Sequence, residues 1–529
     1  MFSNGWSQHD PNHLIAALFL GGALLMKLII NGGRKRRTRE EVATKTVSWP
    51  KVPGGIPILG NSIGNVDNLC IKIEDWAAKY GKENGIFEFN IFGVRYVVLC
   101  DDSHASMIER QRPYKMQRLS QVNEAVKSIG ADGLFAAEGH LWKKDRRIIG
   151  PSLSHKNVKD YLCAVKLVSN RLVETLESLC HDNDAVAINN HILSSTVDII
   201  SLVAFDKDID SLRKGSYGMG ADLRTSLRVT QRRVLSPIPY WRIPIIGQYI
   251  DGAGWAIKRL ENSFRGWAHE NESSANDDAT SKTFLSKIVS LSRGNSADAM
   301  SERRLIGNIM TMFAAGSETT HVTICSSLWE IANDTTGLQK ELAAEALEVH
   351  NYEGAGLDEL TNGLPRLRSL IYEILRIRGP SPVLGLQNME EFELAGTKLP
   401  PHTSFFLAWR YISTLDNTEP SRLTPLGPRN TPRSEVCARR WLTTSGNNIS
   451  VVTPTHKNGW RPFGTGVRVC PGRELAEIEI LAILSLLLRK FEISLEHNHP
   501  PMKLVSRFTE SPNIDIRLVL KPRGIIVKK

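Results

Sequence analysis

Cys470 lies in a short glycine-rich stretch whose residue types suit a metal ligand. The stretch reads Phe463-Gly-Thr-Gly466-Val-Arg468-Val-Cys470-Pro-Gly472. The apolar run at residues 474–488 predicts a helix, and Pro471 suits the first turn of that helix. At a helix N-terminus the dipole and the free amides favour a cysteine thiolate, which can bind iron. The competing interpretation is an inert buried cysteine in a glycine-rich loop.

The full ten-residue pattern favours the metal-ligand interpretation. It matches, position for position, the haem-binding loop of the cytochrome P450 family, so the chain resembles a haem-thiolate monooxygenase. The resemblance implies haem b (iron protoporphyrin IX) as cofactor, with Cys470 as the axial iron ligand. Gly466 would let the loop turn toward the sulfur, Phe463 would shield it, and Arg468 would bind a haem propionate. Gly472 completes the haem-binding pattern.

A second motif lies in a long apolar segment, residues 301–332, that predicts a helix. Its centre reads Ala315-Gly316-Ser317-Glu318-Thr319-Thr320. Glycine weakens a helix and threonine can bond back to the preceding turn, so we expect a bend that opens a groove for dioxygen. The alternative, non-catalytic interpretation is a locally strained helix whose glutamate is solvated. The segment is similar to the P450 oxygen-activation motif, which implies catalytic roles for Gly316, for Glu318 in proton supply and for Thr319 at the distal oxygen.

Two further motifs with charged residues are unspecific when taken alone. Their order in the chain relative to the other motifs makes a functional interpretation stronger. Trp142 and Arg146 lie four residues apart on one helix face, and Glu373 and Arg376 lie three apart. By resemblance, the first pair binds a haem propionate. The second pair, locked by Arg440, is structural and supports the proximal haem face. P450 chains usually also carry an Arg or His before the strand at residue 393, where Gln387 is the nearest polar residue here.

Composition favours one large catalytic domain. The chain has 529 residues, 41% of them hydrophobic, a net charge of +10 and no internal repeat. Its seven cysteines show no C-x-x-C spacing, which argues for a reducing compartment and against a disulfide framework. The basic charge is not accompanied by a nucleic-acid recognition motif, so nucleic acid is not an expected partner.

An apolar N-terminal segment predicts a membrane anchor. Residues 13–30 would span ~27 Å as a helix, about the thickness of a hydrocarbon core. The basic run at residues 34–37 follows it, which favours a single anchor with the catalytic domain in the cytosol over a signal peptide or a core helix. The expected division is 1–12 lumenal, 13–30 transmembrane, 31–57 a basic and Pro-rich linker, and 58–529 catalytic. The expected location is the endoplasmic reticulum.

The resemblance implies a mainly α fold with a small β-rich lobe, the haem lying between the 301–332 helix and the Cys470 loop. Local patterns add a hairpin over residues 86–99, an irregular stretch over 206–254 and a surface loop over 443–458. Substrate contacts are expected, by family position, from mostly apolar segments that also hold Arg118 and Arg507. These segments are residues 117–131, 206–254, 309–315, 381–386 and 505–509.

The implied reaction inserts one oxygen atom from O2 into an unactivated C–H or C=C bond of a lipophilic molecule such as a terpenoid, fatty acid or sterol. Repeated turnover could carry a methyl group to a carboxylate. No G-x-G-x-x-G motif in a nucleotide-binding context is present, so electrons are expected from a separate NADPH-dependent flavoprotein reductase, with cytochrome b5 a further candidate. A basic docking face would use Lys143, Lys144, Arg147 and Arg473. Two alternatives stay open: a haem-thiolate isomerase or dehydratase that needs no reductase, and a non-enzymatic membrane haem-binding protein.

Overall fold

The computed structural model describes most of the chain after the N-terminal region. The described residues are 48–57, 59–62, 68–180, 184–214, 218–236, 238–274, 283–293, 300–415, 432, 434–446, 448–456 and 459–524. The predicted anchor at 13–30 and most of the basic linker lie outside these residues. Within them, one helix, Ile188–Phe205, has the length and apolar composition of a membrane span, but 72% of it is buried inside the protein.

The described part of the chain is mainly helical, as the resemblance implies. The α-helices are α1 (Leu69–Tyr80), α2 (Asp102–Glu109), α3 (Ser120–Ser128), α4 (Gly139–Ile149), α5 (His155–Leu179), α6 (Ile188–Phe205), α7 (Ser211–Lys214), α8 (Met219–Leu235), α9 (Gly254–Ser274), α10 (Phe284–Arg293), α11 (Glu302–Ala332), α12 (Leu338–Glu348), α13 (Leu357–Gly363), α14 (Pro365–Arg378), α15 (Trp409–Ser413) and α16 (Arg473–Lys490).

The strands form small sheets beside the helices. They are β1 (Ile86–Ile91), β2 (Val94–Leu99), β3 (Met116–Arg118), β4 (Ala185–Ala187), β5 (Leu384–Asn388), β6 (Phe392–Leu394), β7 (Thr397–Leu399), β8 (Ser404–Leu407), β9 (Leu442–Ser445), β10 (Asn448–Val451), β11 (Phe491–Leu495), β12 (Leu504–Val505), β13 (Ser511–Pro512) and β14 (Arg517–Pro522).

The largest sheet has five strands in the order β1-β2-β8-β5-β3. The predicted hairpin over residues 86–99 is its β1–β2 pair, antiparallel with Ile91 opposite Val94. Strand β8 is parallel to β2 and antiparallel to β5. The first described residues also join this lobe, because the Val52 N–H donates to the Glu88 carbonyl at 2.9 Å and Trp49 is buried. The Pro-rich segment therefore packs on strand β1 before residue 58.

The main core surrounds helix α11, which runs without interruption from Glu302 to Ala332. Ser301 caps its N-terminus by accepting a hydrogen bond from the Arg304 N–H at 3.4 Å. Helices α6, α14 and α16 contribute to the same core. At Gly316 a Cβ atom would lie 2.7 Å from Cδ1 of Ile200 on α6. The glycine of the second motif therefore allows two core helices to approach closely.

Two local predictions were wrong. The stretch 206–254 is not irregular throughout, because it contains the 17-residue helix α8. The stretch 443–458 is not a plain loop, because β9 and β10 form an antiparallel hairpin with Ile449 opposite Thr444. Both stretches are polar, and low hydrophobicity concealed regular structure that tertiary packing stabilises.

Candidate active site

The Cys470 loop is a tight hydrogen-bonded turn. The Cys470 N–H donates to the Phe463 carbonyl at 2.8 Å, and the Val469 N–H donates to the Gly466 carbonyl at 3.1 Å. Gly466 has a φ of +60° and Gly464 a φ of +72°, a left-handed conformation that glycine adopts without strain. No atom beyond the chain neighbours lies within 4 Å of a Cβ built at Gly466. The glycines of the motif thus shape the turn and leave its surface open.

Helix α16 begins at Arg473 with Gly472 as its N-cap residue, so Pro471 precedes the helix instead of occupying its first turn. The helix therefore begins two residues later than the sequence analysis predicted. Burial raises the pKa of the Cys470 thiol, while a backbone N–H bond from Gly472 and the nearby Arg146 and Arg473 oppose that rise. Cys470 as a residue is partly exposed. The N–H donor and the two nearby guanidinium groups are features that favour an anionic thiolate ligand.

The residues just before the loop fix it to the rest of the protein. Arg461 is buried and lies 2.6 Å from the Asp102 carboxylate at the start of α2. The Trp460 indole N–H donates to the Tyr372 carbonyl of α14 at 3.0 Å. Arg473 pairs with Glu477 at 2.7 Å, and its Cζ lies 4.8 Å from the centre of the Trp460 ring. The loop is therefore supported by two helices that are distant in sequence.

Glu373, Arg376 and Arg440 meet in one buried cluster. Arg376 binds the Glu373 carboxylate through two nitrogens, at 2.9 and 2.6 Å. Arg440 Nε donates to the same carboxylate at 2.9 Å. The backbone N–H of Cys437 and the indole N–H of Trp441 also donate to it, at 3.0 and 3.2 Å. Burial raises the pKa of Glu373, but these donors outweigh it and leave the pKa below its ordinary value.

Arg468 lies beside Trp142, near the N-terminus of α4. Its Cζ is 5.0 Å from the centre of the Trp142 ring, and its Nη1 donates to the Ala137 carbonyl at 2.9 Å. Glu138 lies 3.5 Å from the guanidinium. Arg146, on the same helix as Trp142, is electrostatically coupled to both Arg468 and Cys470. The structure therefore brings Trp142, Arg146 and Arg468 together beside the cysteine.

Two arginines that the sequence analysis did not assign to this place complete the cluster. Arg112 is buried and Arg118 is partly buried, and Nε and Nη2 of Arg112 and Nε of Arg118 have no hydrogen-bond partner among the described residues. Burial, Arg112 and Arg468 all lower the pKa of Arg118, and only Glu138 opposes them. Arg118 also stacks at 3.7 Å on the Phe135 ring. Arg118, expected as a substrate contact, instead belongs to this arginine cluster.

The arginine cluster fits a haem. The four arginines Arg112, Arg118, Arg146 and Arg468 outnumber the two carboxylates that act on members of the cluster, Glu138 and Glu109, so the site has positive charge and free N–H donors for two propionates. Cys470 supplies the sulfur that a haem iron takes as its axial ligand. Gln387, the polar residue nearest to the place of the absent family arginine, accepts a hydrogen bond from the Ser120 N–H at 3.3 Å through its Oε1.

On helix α11, Thr319 and Glu318 face different surroundings. The Thr319 hydroxyl donates to the Ala315 carbonyl at 2.7 Å, the back-bond expected from the sequence. Burial raises the pKa of Glu318, and Arg507, Arg224 and a hydrogen bond with Thr509 oppose the rise. His321 lies 4.0 Å from Glu318. The Glu318 carboxyl thus lies among cations and a hydroxyl from segments that the motif alone did not reveal.

Glu318 opens into a cavity of about 1300 Å³. Of the five segments expected to contact substrate, 206–254 and 505–509 line this cavity, and 117–131, 309–315 and 381–386 do not. Apolar side chains line much of the cavity, as expected, and charged and amide side chains are also frequent in it. The charged residues are Arg224, Arg228, Arg232, Asp251, Glu318, Arg507 and Asp515.

Comparison with known proteins decides the family. The sequence model of the family described as Cytochrome P450 matches residues 50–416 and 435–522. The chain belongs to the cytochrome P450 family. This P450 is accordingly an oxidoreductase of the monooxygenase class, and its family binds haem iron and generally uses redox partners, O2 and lipophilic substrates.

The relatives of this P450 are distant. It is 24% identical to the protein LUTEIN DEFICIENT 5, chloroplastic, of Arabidopsis thaliana, over 90% of this chain and 77% of that protein. It is 22% identical to a cytokinin hydroxylase of Arabidopsis thaliana, over 86% and 84%. It is also 22% identical to the mitochondrial sterol 26-hydroxylase of Homo sapiens, over 73% and 72%. The named activities and compartments differ among these relatives.

Proposed function

We propose that this P450 holds haem b through Cys470 and oxygenates a small molecule bound in the cavity beside Glu318. The observation that carries the proposal is the convergence of Cys470 with four arginines on one side and the large cavity lined by Glu318 on the other. Bound haem supplies the chemistry of O2 activation. Residues Cys470, Phe463, Gly466 and Gly472 form its thiolate loop.

The arginine cluster binds and orients the cofactor. Arg112, Arg118, Arg146 and Arg468 hold its propionates, and Trp142 packs under Arg468. Glu373, Arg376 and Arg440 keep the proximal segment rigid through the buried carboxylate. Because these groups are fixed by backbone and ring contacts, they can position the cofactor without rearrangement.

Residues of helix α11 supply the protons for the reaction. Glu318 holds a proton more readily than an ordinary glutamate because it is buried, and Thr509 hydrogen-bonds to it. The carboxyl can pass a proton from the cavity toward the Thr319 hydroxyl on the same helix, and Thr319 can offer it to the reacting oxygen. Gly316 contributes by letting α11 lie close against α6.

The reaction is the transfer of one oxygen atom from O2 to a C–H or C=C bond, the other atom leaving as water. A terpenoid, fatty acid or sterol is the proposed kind of substrate, and successive turnovers could take a methyl group to a carboxylate. Electrons come from an NADPH-dependent flavoprotein reductase, with cytochrome b5 as a second donor. Lys143 and Arg147 are exposed on α4 for docking, whereas Arg473 is engaged with Glu477 and contributes less.

We also propose the membrane organisation predicted from the sequence, with 1–12 lumenal, 13–30 an anchor and a linker after it, in the endoplasmic reticulum. The catalytic domain begins near Trp49 instead of at residue 58, because Trp49 and Val52 pack in the sheet lobe. Support comes from a patch of exposed apolar side chains next to the cavity-lining residues Tyr240 and Ile250. The patch consists of Ile243, Ile245, Ile246, Tyr249, Ile250 and Trp255. Such a patch is suited to contact with lipid.

Replacement of Thr319 with Ala tests the proposed reaction. With the reductase, NADPH and a substrate found by screening, the variant should consume NADPH but release peroxide in place of much of the product, because the distal proton donor is lost. Product formation by the wild type should also stop without the reductase. Full turnover without reductase, or unchanged coupling in the variant, would instead support an isomerase or dehydratase.

A further inference from the structure

Helix α8 carries a row of arginines along the cavity. Arg224, Arg228 and Arg232 are spaced by four residues and all line the cavity that contains Glu318. Residues four apart share one face of a helix, and like charges at that spacing destabilise it by a few tenths of a kcal/mol. A fourth arginine, Arg507, lines the same cavity from the segment between β12 and β13. The helix therefore carries a row of mutually repelling positive charges along the cavity that we propose to hold the substrate.

The cavity acids do not neutralise these arginines. Asp251 is already bound by Arg233 at 2.7 Å and by the Tyr240 hydroxyl at 2.9 Å. Glu318 is held toward its neutral form because burial raises its pKa. Asp515 is the remaining acid among the described lining residues. Four guanidinium groups thus face about one available carboxylate, which leaves the cavity with a surplus of positive charge.

The two walls that carry the arginines are joined directly. Gln231 on α8 donates to the Ser506 carbonyl at 2.7 Å, next to Arg507. Arg224 is fixed by donating to Oδ1 of Asn190 at 2.7 Å. Arg228, Arg232 and Arg507, by contrast, make no hydrogen bond or ion pair with any other described residue. Their donors are available for a bound molecule.

The position of the arginines relates them to the reaction. Arg224 and Arg507 both act electrostatically on Glu318, so both lie near the proton-supplying carboxyl. His321, the other titratable group there, is neutral, because burial and Arg224 lower its pKa to about 4. An anion bound between α8 and the 505–509 segment would therefore meet several cations and amides, with Asp515 as the competing carboxylate.

We propose that the substrate of this P450 carries a carboxylate and that Arg228 and Arg507, which line the cavity and are exposed to solvent, bind this group at the open side of the cavity. Guanidinium groups match a carboxylate with paired N–H donors, and a partly enclosed site strengthens the interaction. The inference rests on the proposed monooxygenase function of the site and narrows its substrates to acidic lipophilic molecules. Arg224, fixed by Asn190, adds positive potential without needing to move.

The test uses the haem-loaded full-length enzyme and probes that bind regardless of the true substrate. ω-Imidazolyl alkanoic acids, from hexanoic to dodecanoic acid, can ligate haem iron through the imidazole and place a carboxylate at increasing distance. Their methyl esters are the neutral controls. Binding is read from the shift of the haem absorption band on titration. At one or more chain lengths, the acid should bind about tenfold more tightly than its ester, or about 1.4 kcal/mol.

The variants assign the effect to residues. Arg228→Gln and Arg507→Gln should each reduce the preference for acid over ester several-fold and leave ester binding unchanged. Arg213→Gln is the matched control, because Arg213 is an exposed arginine outside the cavity whose ion pair with Glu174 is 3.4 Å long. The CO-bound reduced spectrum of each variant verifies that its haem site is intact.

Three results would overturn the inference. The first is equal binding of acid and ester at every chain length in an enzyme whose haem accepts the imidazole. The second is an acid preference that survives in both cavity variants. The third is loss of binding to phosphatidylserine vesicles in these variants with the acid preference retained, which would assign the arginines to lipid headgroups. Failure of the imidazole to ligate any haem would instead count against the proposed function itself.

Discussion

At the scale of single residues, Glu373 shows how a charged group is kept inside this protein. Its carboxylate is fully buried and accepts hydrogen bonds from Arg376, Arg440, the Cys437 N–H and the Trp441 indole. An unpaired buried charge is costly, so each of these donors helps to keep the carboxylate ionised. The geometry also explains why E-x-x-R alone is a weak signal: its third partner, Arg440, comes from a segment 67 residues away.

Arg440→Ala is expected to lower the free energy of unfolding by about 2 kcal/mol, because it removes a charged hydrogen bond to a buried carboxylate. The neighbouring Arg439→Ala is the matched control, since Arg439 is 52% exposed and its pair with Glu341 is on the surface. That control should change stability by less than about 1 kcal/mol. Urea unfolding of the haem-loaded proteins measures both. Equal effects of the two variants would contradict the role of Arg440 in the buried cluster.

The state of Glu318 predicts a pH-dependent effect on stability. Its pKa is raised in the folded protein, chiefly by burial, so the folded state binds the proton more tightly than the unfolded state. The contribution of Glu318 to stability is therefore most favourable at low pH and declines as pH rises above about 4, where a solvated glutamate ionises. Glu318→Gln removes this decline. The variant should gain stability relative to wild type as pH increases, measured by urea unfolding across pH.

Glu345→Gln provides a comparison for this pH effect. Glu345 is a buried glutamate whose pKa is also raised, but it lies away from the cavity. Its carboxylate accepts hydrogen bonds from the backbone N–H groups of Arg366 and Leu367. Glutamine keeps only one acceptor oxygen, so the loss of one of these two hydrogen bonds should make this variant less stable at every pH. A stability difference between Glu318→Gln and wild type that stays constant with pH would show that the carboxyl is not held protonated by burial.

At the scale of elements, the long helix α11 was predictable and helix α8 was not. The 301–332 segment has a capping serine and a sustained apolar face, and the observed helix begins one residue later than predicted. Helix α8 is rich in arginine and β-branched residues, so its sequence resembles an irregular surface stretch. Arg224, Arg228 and Arg232 line a cavity, and Arg228 and Arg232 are at the same time exposed to solvent. Their orientation depends on packing of α8 against α3 and α9, which no local pattern reports.

The close contact between α11 and α6 predicts the effect of a small substitution. In Gly316→Ala the new methyl group would lie 2.7 Å from Ile200, so the helices must shift and unfolding should become easier by about 1–3 kcal/mol. Gly266→Ala on α9 is the control, because no atom lies within 4 Å of its added Cβ. Replacing that helical glycine should be neutral or stabilise the protein by up to about 1 kcal/mol.

A second substitution separates packing from local helix effects. Combining Gly316→Ala with Ile200→Ala should recover part of the lost stability relative to the sum of the single variants, because the alanine side chain leaves room for the methyl group. Thermal or urea unfolding of the three variants provides the comparison. Strict additivity would indicate that the glycine is retained for a reason other than contact with Ile200.

At the scale of the whole molecule, the catalytic arrangement is assembled from distant parts of the chain. The Cys470 loop, the Trp142 region and helix α11 carry motifs, so the sequence could place them in one site. Arg112 and the arginines that line the cavity belong to no recognisable motif. Their positions near the site depend on how the sheet lobe and α8 pack against the helical core. The sequence therefore predicted the haem side of the site better than the substrate side.

The central claim is that Cys470 binds haem iron as a thiolate, and the CO-bound reduced absorption spectrum tests it most directly. Wild-type protein in its membrane fraction should show the red-shifted Soret band of thiolate-ligated haem, and Cys470→Ser should lose that band. Cys437→Ser, a buried cysteine outside the loop, should keep it. Absence of the band from folded, haem-loaded wild type, or its persistence in Cys470→Ser, would contradict the account.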